Sequence, residues 1–424
     1  MAKPNLALIP ATVGDKVYSI LPSDGVGDFD FTRATTATRI NAQGLIETVA
    51  SGENRLNYSL LDGEVVGCPH LLLEDEATNS IQYSEDFSQS AWTKGNSSIE
   101  SDTLISPSGI LNGSTLTDNT ANTIHRLRDS VSLSASTDYS LSIFAKKGTL
   151  SNIQLALINT GNSNTASRVF DLENGALGES ITIGGTLQDS KITDYGNGWY
   201  RCEITAQLGS TPNTYQITLA PQSSGNSTTG NQVTYDGDGN GNVYLWGAQL
   251  EEGSYPTSYI KTTSAAVTRA AETCTGSGDA ATFNDSEGVL MAEFSALADD
   301  LNIEGISVSD GSSSNRVVIF KWNSSNSIRA RVTSSGVNTL NQTITISDVT
   351  TLNKIAVVYK TNDFQIWVNG IKLFTDTSGS TPIGLNELNF NSDGIGGSAF
   401  RGKIKQIQYF DSALSDSELQ ALTT

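Results

Sequence analysis

Cysteine is scarce in this chain of 424 residues, which has only Cys68, Cys202 and Cys274. An odd number at long spacings, with no Cys-x-x-Cys, supports neither a disulfide framework nor a zinc site. Cys202 falls in an alternating stretch and reads as a small buried hydrophobe. Histidine is scarcer still, with His70 and His125 alone. No Gly-x-Ser-x-Gly elbow, phosphate-binding loop or His-Glu-x-x-His accompanies them, so the familiar nucleophilic, nucleotide-handling and zinc-hydrolase chemistries lack their residues. Nowhere is there the run of roughly 20 apolar residues that a helical bilayer span needs. The opening ten residues also lack an apolar run of signal-peptide length, so synthesis in a cytosol is expected. Positive charge is in deficit: 25 Lys and Arg stand against 45 Asp and Glu, a formal net charge of −20. Such a field repels phosphate backbones and anionic lipid, so neither nucleic acid nor membrane is expected as a partner. It suits a crowded, multi-copy protein that must stay in solution.

What is present points to β-structure. Hydrophobic residues make up 37% of the chain and charged residues 17%, enough to bury two cores. The polar remainder is mostly Ser, Thr, Asn and Gly, which favour turns and disfavour long helices. Residues 1–75 are irregular and glycine-punctuated, with short apolar pieces and no evident core of their own. They read either as an N-terminal arm that attaches to a partner or as a segment packed on the next domain. Over 76–262 apolar and polar residues alternate, as in Tyr139, Leu141 and Ile143. Tyr200, Cys202, Ile204 and Ala206 likewise form one face against Arg201, Glu203 and Thr205. Period-two runs between Gly/Asn/Ser clusters are the pattern of a sandwich or jelly roll. Residues 263–282, rich in Thr, Ser, Ala and then Gly, read as a linker. A second β-domain is expected over 283–424. Within it Asn369-Gly370 predicts a type I′ hairpin, and Ser415 with Glu418 predicts a capping box that opens the one helix. Thr32-Arg33-Ala34 is echoed by Thr268-Arg269-Ala270, a match too short to establish a repeat.

Three kinds of chemistry have candidate residues. Glycoside hydrolysis needs two carboxylates at a defined separation. Acidic clusters occur at Glu74-Asp75-Glu76, Glu251-Glu252 and Asp299-Asp300, and each reads as a solvated surface. No Glu-x-Asp-x-Glu alternation marks a glucanase strand. Asp236, Asp238 and Asn240 place oxygen ligands at alternate positions, like the start of an EF-hand loop, but the twelfth position is Gly247 where a bidentate Glu is required. Structural Ca2+ held with backbone carbonyls is one reading, and a plain Asp/Asn/Gly turn is the other. Sugar binding calls for flat aromatic faces. Trp92, Trp199, Trp246, Trp322 and Trp367 are candidates, with Tyr195 and Tyr255. Trp199, Trp246 and Trp367 sit in strand patterns and read as core, and Trp92, Tyr195 and Tyr255 are taken as the carbohydrate-binding residues.

Several stretches resemble a known family. They are Phe31-Thr32-Arg33-Ala34-Thr35 with Ala37-Thr38-Arg39-Ile40, Cys68-Pro69-His70-Leu71-Leu72-Leu73-Glu74 with Tyr83-Ser84-Glu85-Asp86-Phe87, and Gly198-Trp199-Tyr200-Arg201-Cys202 with Trp246-Gly247-Ala248-Gln249-Leu250-Glu251. Over residues 28–270 these resemble a large family of bacteriophage tail or fibre proteins whose middle section looks like a jelly-roll carbohydrate-binding module. The last 140 residues, through Phe364-Gln365-Ile366-Trp367-Val368-Asn369-Gly370 and Phe410-Asp411-Ser412-Ala413-Leu414-Ser415, resemble the laminin-G-like, concanavalin A-like sandwich. The expected architecture is therefore all-β: an arm over 1–75, a jelly roll over 76–262, a linker over 263–282 and a concanavalin A-like sandwich over 283–424. The resemblance implies a non-enzymatic structural protein of the virion, a fibre or a head or tail decoration made in the host cytoplasm. It further implies attachment to other virion proteins through the N-terminal region, a homotrimer, and adsorption to glycan. A polysaccharide-degrading enzyme and an assembly module without a ligand are the alternatives.

Overall fold

The computed structural model describes residues 2–13, 16–161, 163–210, 213–222, 234–392 and 398–424. Among them are 35 strands and one helix, Asp416–Thr423, so the all-β expectation holds.

Two six-stranded antiparallel sheets face each other in the jelly roll. One runs Thr93–Gly95, Arg126–Leu133, Asn213–Gln222, Asn152–Asn159, Thr165–Asp171, Ala176–Ile183. The other runs Ser97–Ile105, Leu111–Asp118, Asn242–Glu252, Asp138–Lys147, Trp199–Gln207, Thr186–Asp194. The period-two pattern decides which side chains meet between them. Leu141, Ile143, Leu155, Leu157, Cys202, Ile204 and Ala206 all enter one core, and burying each large aliphatic side chain contributes about 1.5–3 kcal/mol. Arg201, Glu203 and Thr205 point out of the opposite face of the Trp199–Gln207 strand, yet they are buried too. Something covers that face.

Arg201 donates to the Thr257 carbonyl of the segment after the last jelly-roll strand, and the second sandwich follows that segment. Its larger sheet runs Ile371–Asp376, Asp363–Val368, Asn353–Lys360, Glu287–Ala296, Gly402–Phe410 and then continues into Glu64–Leu73 and Leu56–Leu61. Leu6–Leu8 also pairs with Gly402–Phe410, Leu6 opposite Tyr409, while Leu71 lies opposite Ile404. Five strands, Val337–Thr345, Ser327–Ser334, Arg316–Lys321, Glu304–Ser309 and Glu387–Asn389, form the facing sheet. Leu6, Leu8, Phe29, Phe31, Leu71, Leu73 and Cys274 share the core between them. Residues 1–75 pack on both sandwiches: Leu6, Leu8, Leu71 and Leu73 on the second, and Ile46 on Phe144, Trp199 and Trp246 of the jelly roll. The apolar pieces are too short for a core of their own, but long enough to cover a sheet edge that would otherwise expose unpaired N–H and C=O groups.

The segment read as a linker is also built in. Val267–Arg269 pairs with Ala77–Asn79, and Thr273–Thr275 pairs with Phe29–Thr32. Arg269, Glu272 and Cys274 are fully buried. Its threonines act as strand residues, which they favour as readily as coil. The two local signals in the second sandwich hold. Asn369 and Gly370 adopt φ of 48° and 82° and join adjacent strands. The Glu418 carboxylate accepts the Ser415 N–H at 3.1 Å, and Leu419 and Leu422 pack on the outer face of the sheet with Met291, Val358 and Trp367.

Candidate functional site

A buried ionic network lies where the N-terminal region, the jelly roll and the second sandwich meet. Glu272 accepts Arg33 Nη1 at 2.7 Å and Arg55 Nε at 2.8 Å, and is held by Arg55 Nη2 as well. Arg55 and Arg269 both reach Glu74 at 2.8 Å. Ser258 Oγ donates to Glu74 at 2.6 Å and accepts from Arg55 at 2.7 Å and Arg269 at 3.0 Å. Burial alone would raise the pKa of Glu74, but Arg269, Arg55 and the Ser258 bonds outweigh it and hold the carboxyl down at about 2. Burial lowers Arg33 despite Glu272, whereas Glu272 and Glu74 together raise Arg55 above its ordinary value despite burial. The echo in the sequence acquires a meaning here. Thr32-Arg33-Ala34 and Thr268-Arg269-Ala270 each contribute an arginine to this one cluster.

Beside the network is a cleft of about 800 Å3, within the usual range for a small-ligand site. The outward face of the Trp199–Gln207 strand forms its floor, through Arg201, Glu203 and Thr205. Tyr58 comes from the N-terminal region, Tyr195 from the jelly roll, Tyr255 from the segment after the last jelly-roll strand, and Asp299, Asp300 and Lys403 from the second sandwich. Arg201 pairs with Glu203 at 3.1 Å and donates to Ser142 Oγ at 3.0 Å and the Thr257 carbonyl at 2.8 Å. Burial raises the pKa of Glu203 even so, against Arg201 and Lys191. Tyr195 stands edge-on to Phe144, centroids 4.9 Å apart. Burial raises its pKa, and so does that of Tyr255.

The sequence-nominated aromatics therefore divide. Tyr195 and Tyr255 come together in the cleft although 60 positions separate them in the chain. Trp92 does not join them. It is 1% exposed in the jelly-roll core, with its indole N–H donated to the Tyr83 carbonyl at 3.2 Å, and cannot stack on a ligand. Trp199 and Trp246 are core, as expected, and Trp367 is buried. Trp322 has its face covered by the Arg329 guanidinium, 3.4 Å from the ring centroid.

The acidic clusters are only in part the solvated surfaces they read as. Glu74 and Glu251 are buried, while Asp75, Glu76, Glu252 and Asp299 are exposed. Asp300 takes the buried ammonium of Lys321, and Asp299 accepts Ser325 Oγ at 2.5 Å and the Asn326 N–H at 2.8 Å. Neither histidine is poised for proton transfer. Burial, with Lys403, Lys405 and Arg55, pushes His70 down to about 3. His125 Nδ1 lies 2.7 Å from the Asn96 carbonyl, away from the cleft.

Asp236 ends the short strand Tyr235–Asp236, and Asp238 and Asn240 follow in a turn outside the cleft lining. Asp238 Oδ1 accepts the N–H groups of Asn240 at 2.8 Å and Gly241 at 3.0 Å, and Asp118 Oδ1 accepts those of Gly239 and Gly241. Among the described residues no group of three or more His, Cys, Asp or Glu is placed to hold a metal ion.

Residues 294–420 match the family described as Laminin_G_3, the concanavalin A-like lectin/glucanases superfamily. No curated protein matches the chain. Among solved structures, the Ruminococcus gnavus IT-sialidase CBM40 bound to alpha2,3 sialyllactose is similar at 17% identity and a TM-score of 0.29, over 35% of this chain and 94% of that one. A NanB sialidase from Streptococcus pneumoniae is similar at 18% identity and a TM-score of 0.28, over 34% of this chain and only 25% of that one. Domains LG4-5 of the mouse laminin alpha1 chain are similar at 11% identity and a TM-score of 0.24, over 70% of this chain and 89% of that one. These are likenesses among β-sandwiches, and the reading of the cleft rests on its own residues.

Proposed function

We propose that the chain is a non-enzymatic structural protein of a bacteriophage virion, a fibre or a head or tail decoration, that adsorbs to cell-surface or environmental glycan. The observation that carries the glycan part is the convergence of Tyr58, Tyr195 and Tyr255 with hydrogen-bonding Thr, Ser and charged groups on one cleft of about 800 Å3. Aromatic rings beside polar donors are what a pyranose, with its apolar face and hydroxyl rim, requires. Support for the virion part is the motif resemblance over residues 28–270, together with an acidity suited to many copies on one particle. A homotrimer and attachment to other virion proteins through residues 1–75 belong to the same reading. The buried Leu6, Leu8, Leu71 and Leu73 cannot supply that contact, because they face the chain's own core. Among the described residues the exposed Ile9, Tyr18, Ile20, Val26, Leu61 and Val66 are the large apolar residues left for it.

The non-enzymatic part is supported by how the acids around the cleft are engaged: Glu74, Glu203 and Asp300 are tied to buried cations and Asp299 to hydrogen-bond donors. One observation favours hydrolysis instead. Glu304 lies outside the cleft lining, but burial pushes it up to about 8, with Lys321 opposing and Asp300 and Asp75 adding to the effect, a range in which a general acid holds its proton. A glycan array run with a reducing-end assay separates the two. Binding without released reducing ends is the expected result, and reducing ends lost in Glu304→Gln would establish the enzyme. Electron microscopy of intact particles tests the virion location, and solution mass tests the trimer.

A further inference from the structure

Around the cleft, nearly every charge has its counter-charge. Arg39 pairs with Glu47 at 2.6 Å, Arg201 with Glu203 at 3.1 Å, and Glu74 with Arg55 and Arg269 at 2.8 Å. Asp300 is held by Lys321, and Asp299 by a serine hydroxyl and a backbone N–H. Three lining groups are left over: Lys191, Lys403 and Asp189. Asp189 accepts the N–H of its own neighbour Ser190 at 2.8 Å. The two lysines have no ion pair or hydrogen bond to a described residue. They come from different parts of the fold. Lys191 lies on Thr186–Asp194 opposite Glu203, and Lys403 on Gly402–Phe410 between Leu72 and Ser295.

An unpaired ammonium in such a place is unusual. Lys403 is half-buried, and burial followed by the nearby charge of Lys191 depresses its pKa, with Glu74 only partly offsetting them. That Glu74 carboxylate is already shared between two arginines. A chain of net charge −20 has acids in plenty to pair with two lysines, yet Glu203, opposite Lys191, is tied to Arg201, and neither lysine has an acid of its own.

We infer that the cleft takes an acidic saccharide, whose carboxylate or sulfate is held between the ammonium groups of Lys191 and Lys403 while Tyr195 and Tyr255 flank the ring. The inference rests on the glycan-binding reading and narrows it to one ligand class. A bound anion would replace the missing counter-charge, and in a partly desolvated cleft such a contact is stronger than on an open surface. It would also be weakened by salt.

The test uses the full chain and three probes: oligogalacturonate, the same oligomer fully methyl-esterified, and a heparin-derived oligosaccharide. The ester keeps the sugar and removes the charge. Binding of oligogalacturonate or the heparin fragment is expected to exceed that of the ester at least tenfold and to fall as salt rises. Lys191→Met should remove most of that margin. Because Lys191 is exposed, this variant is expected to keep the parent melting midpoint. Lys403→Arg, which keeps the charge at the more buried site, should retain binding. Binding of oligogalacturonate shows carboxylate recognition, whereas binding of the heparin fragment alone, which carries both groups, points to sulfate. Equal binding of ester and acid, unchanged in Lys191→Met, overturns the inference and leaves the glycan reading standing. No binding of any of the three, nor of neutral sugars on the array, overturns both.

Discussion

Glu272 is the residue on which the junction depends. It is fully buried and neutralises Arg33 and Arg55 together, so removing it strands the Arg33 guanidinium in a medium that solvates it poorly and leaves Arg55 to share Glu74 with Arg269. Glu272→Ala is expected to cost about 3–5 kcal/mol, seen as a large fall in the denaturation midpoint. Glu74 makes the same junction sensitive to acid. Its folded pKa of about 2 lies below the ordinary 4.5, so its contribution is fully present above pH 4.5 and disappears as pH falls towards 2. The difference corresponds to about 3 kcal/mol. Glu304 works the other way. With a folded pKa of about 8, the fold holds its proton more tightly than the unfolded chain does, so stability is eroded as pH rises from 4.5 to 8. Glu304→Gln should therefore be more stable relative to the parent at pH 8 than at pH 5, by denaturant titration at the two values. Equal differences at the two pH values would mean the carboxyl is not protonated in the fold.

At the scale of elements, tight turns set how the parts approach one another. Asp62 and Gly63, with φ of 49° and 76°, close the hairpin between Leu56–Leu61 and Glu64–Leu73. A Cβ on Gly63 would sit 2.6 Å from the backbone of Gly196 in the jelly roll. Gly63→Ala thus meets both a left-handed backbone and a neighbouring main chain, and is expected to cost about 1–3 kcal/mol. The same change at Gly52, where φ is 78° but nothing lies within 4 Å, separates the two contributions. The 236–242 turn offers a cleaner question. Its main-chain N–H groups are already satisfied by Asp238 and Asp118, so the melting midpoint is expected to be the same with and without chelator. A fall of several degrees on chelation would identify structural calcium at Asp236, Asp238 and Asn240.

The whole molecule is interlocked rather than modular. Leu6, Leu8, Leu71 and Leu73 are core residues of the second sandwich, and the Ala2 N–H reaches the Glu418 carboxylate of the terminal helix at 3.2 Å. Residues 283–424 expressed alone are expected to lack a cooperative thermal transition, because one sheet loses its continuation and the core loses four leucines. Adding residues 1–75 in trans should restore it. A stable isolated fragment would show that the N-terminal strands are decoration. At the scale of a particle, weak single-site binding suffices, since linked copies raise avidity by roughly 10²–10⁴. A monomer is therefore expected to bind near the millimolar range, and a multivalent display far better.

Period-two alternation was enough to identify both sandwiches, and it fixed which face of the Trp199–Gln207 strand enters the jelly-roll core. Asn369-Gly370 and Ser415 with Glu418 announced their turn and cap because those signals are local: each depends on residues within a few positions. Asp62-Gly63 is an equally local signal for the hairpin in residues 1–75, set among glycine-rich surroundings. What the sequence could not show was where the outward faces go. Arg201, Glu203 and Glu74 read as solvent-facing because nothing near them says that another part of the chain lies on top. Tyr409, opposite Leu6, and Ile404, opposite Leu71, are more than 300 positions away. The two Thr-Arg-Ala motifs looked like chance until the fold brought Arg33 and Arg269 into one cluster with Glu272 and Glu74. Tyr195 and Tyr255 were legible as candidates and Trp92 was not distinguishable from them, since an aromatic side chain looks the same in sequence whether it lines a cleft or fills a core. Local chemistry determined the elements; long-range pairing and burial alone decided which charges would be neutralised and which two lysines would be left open.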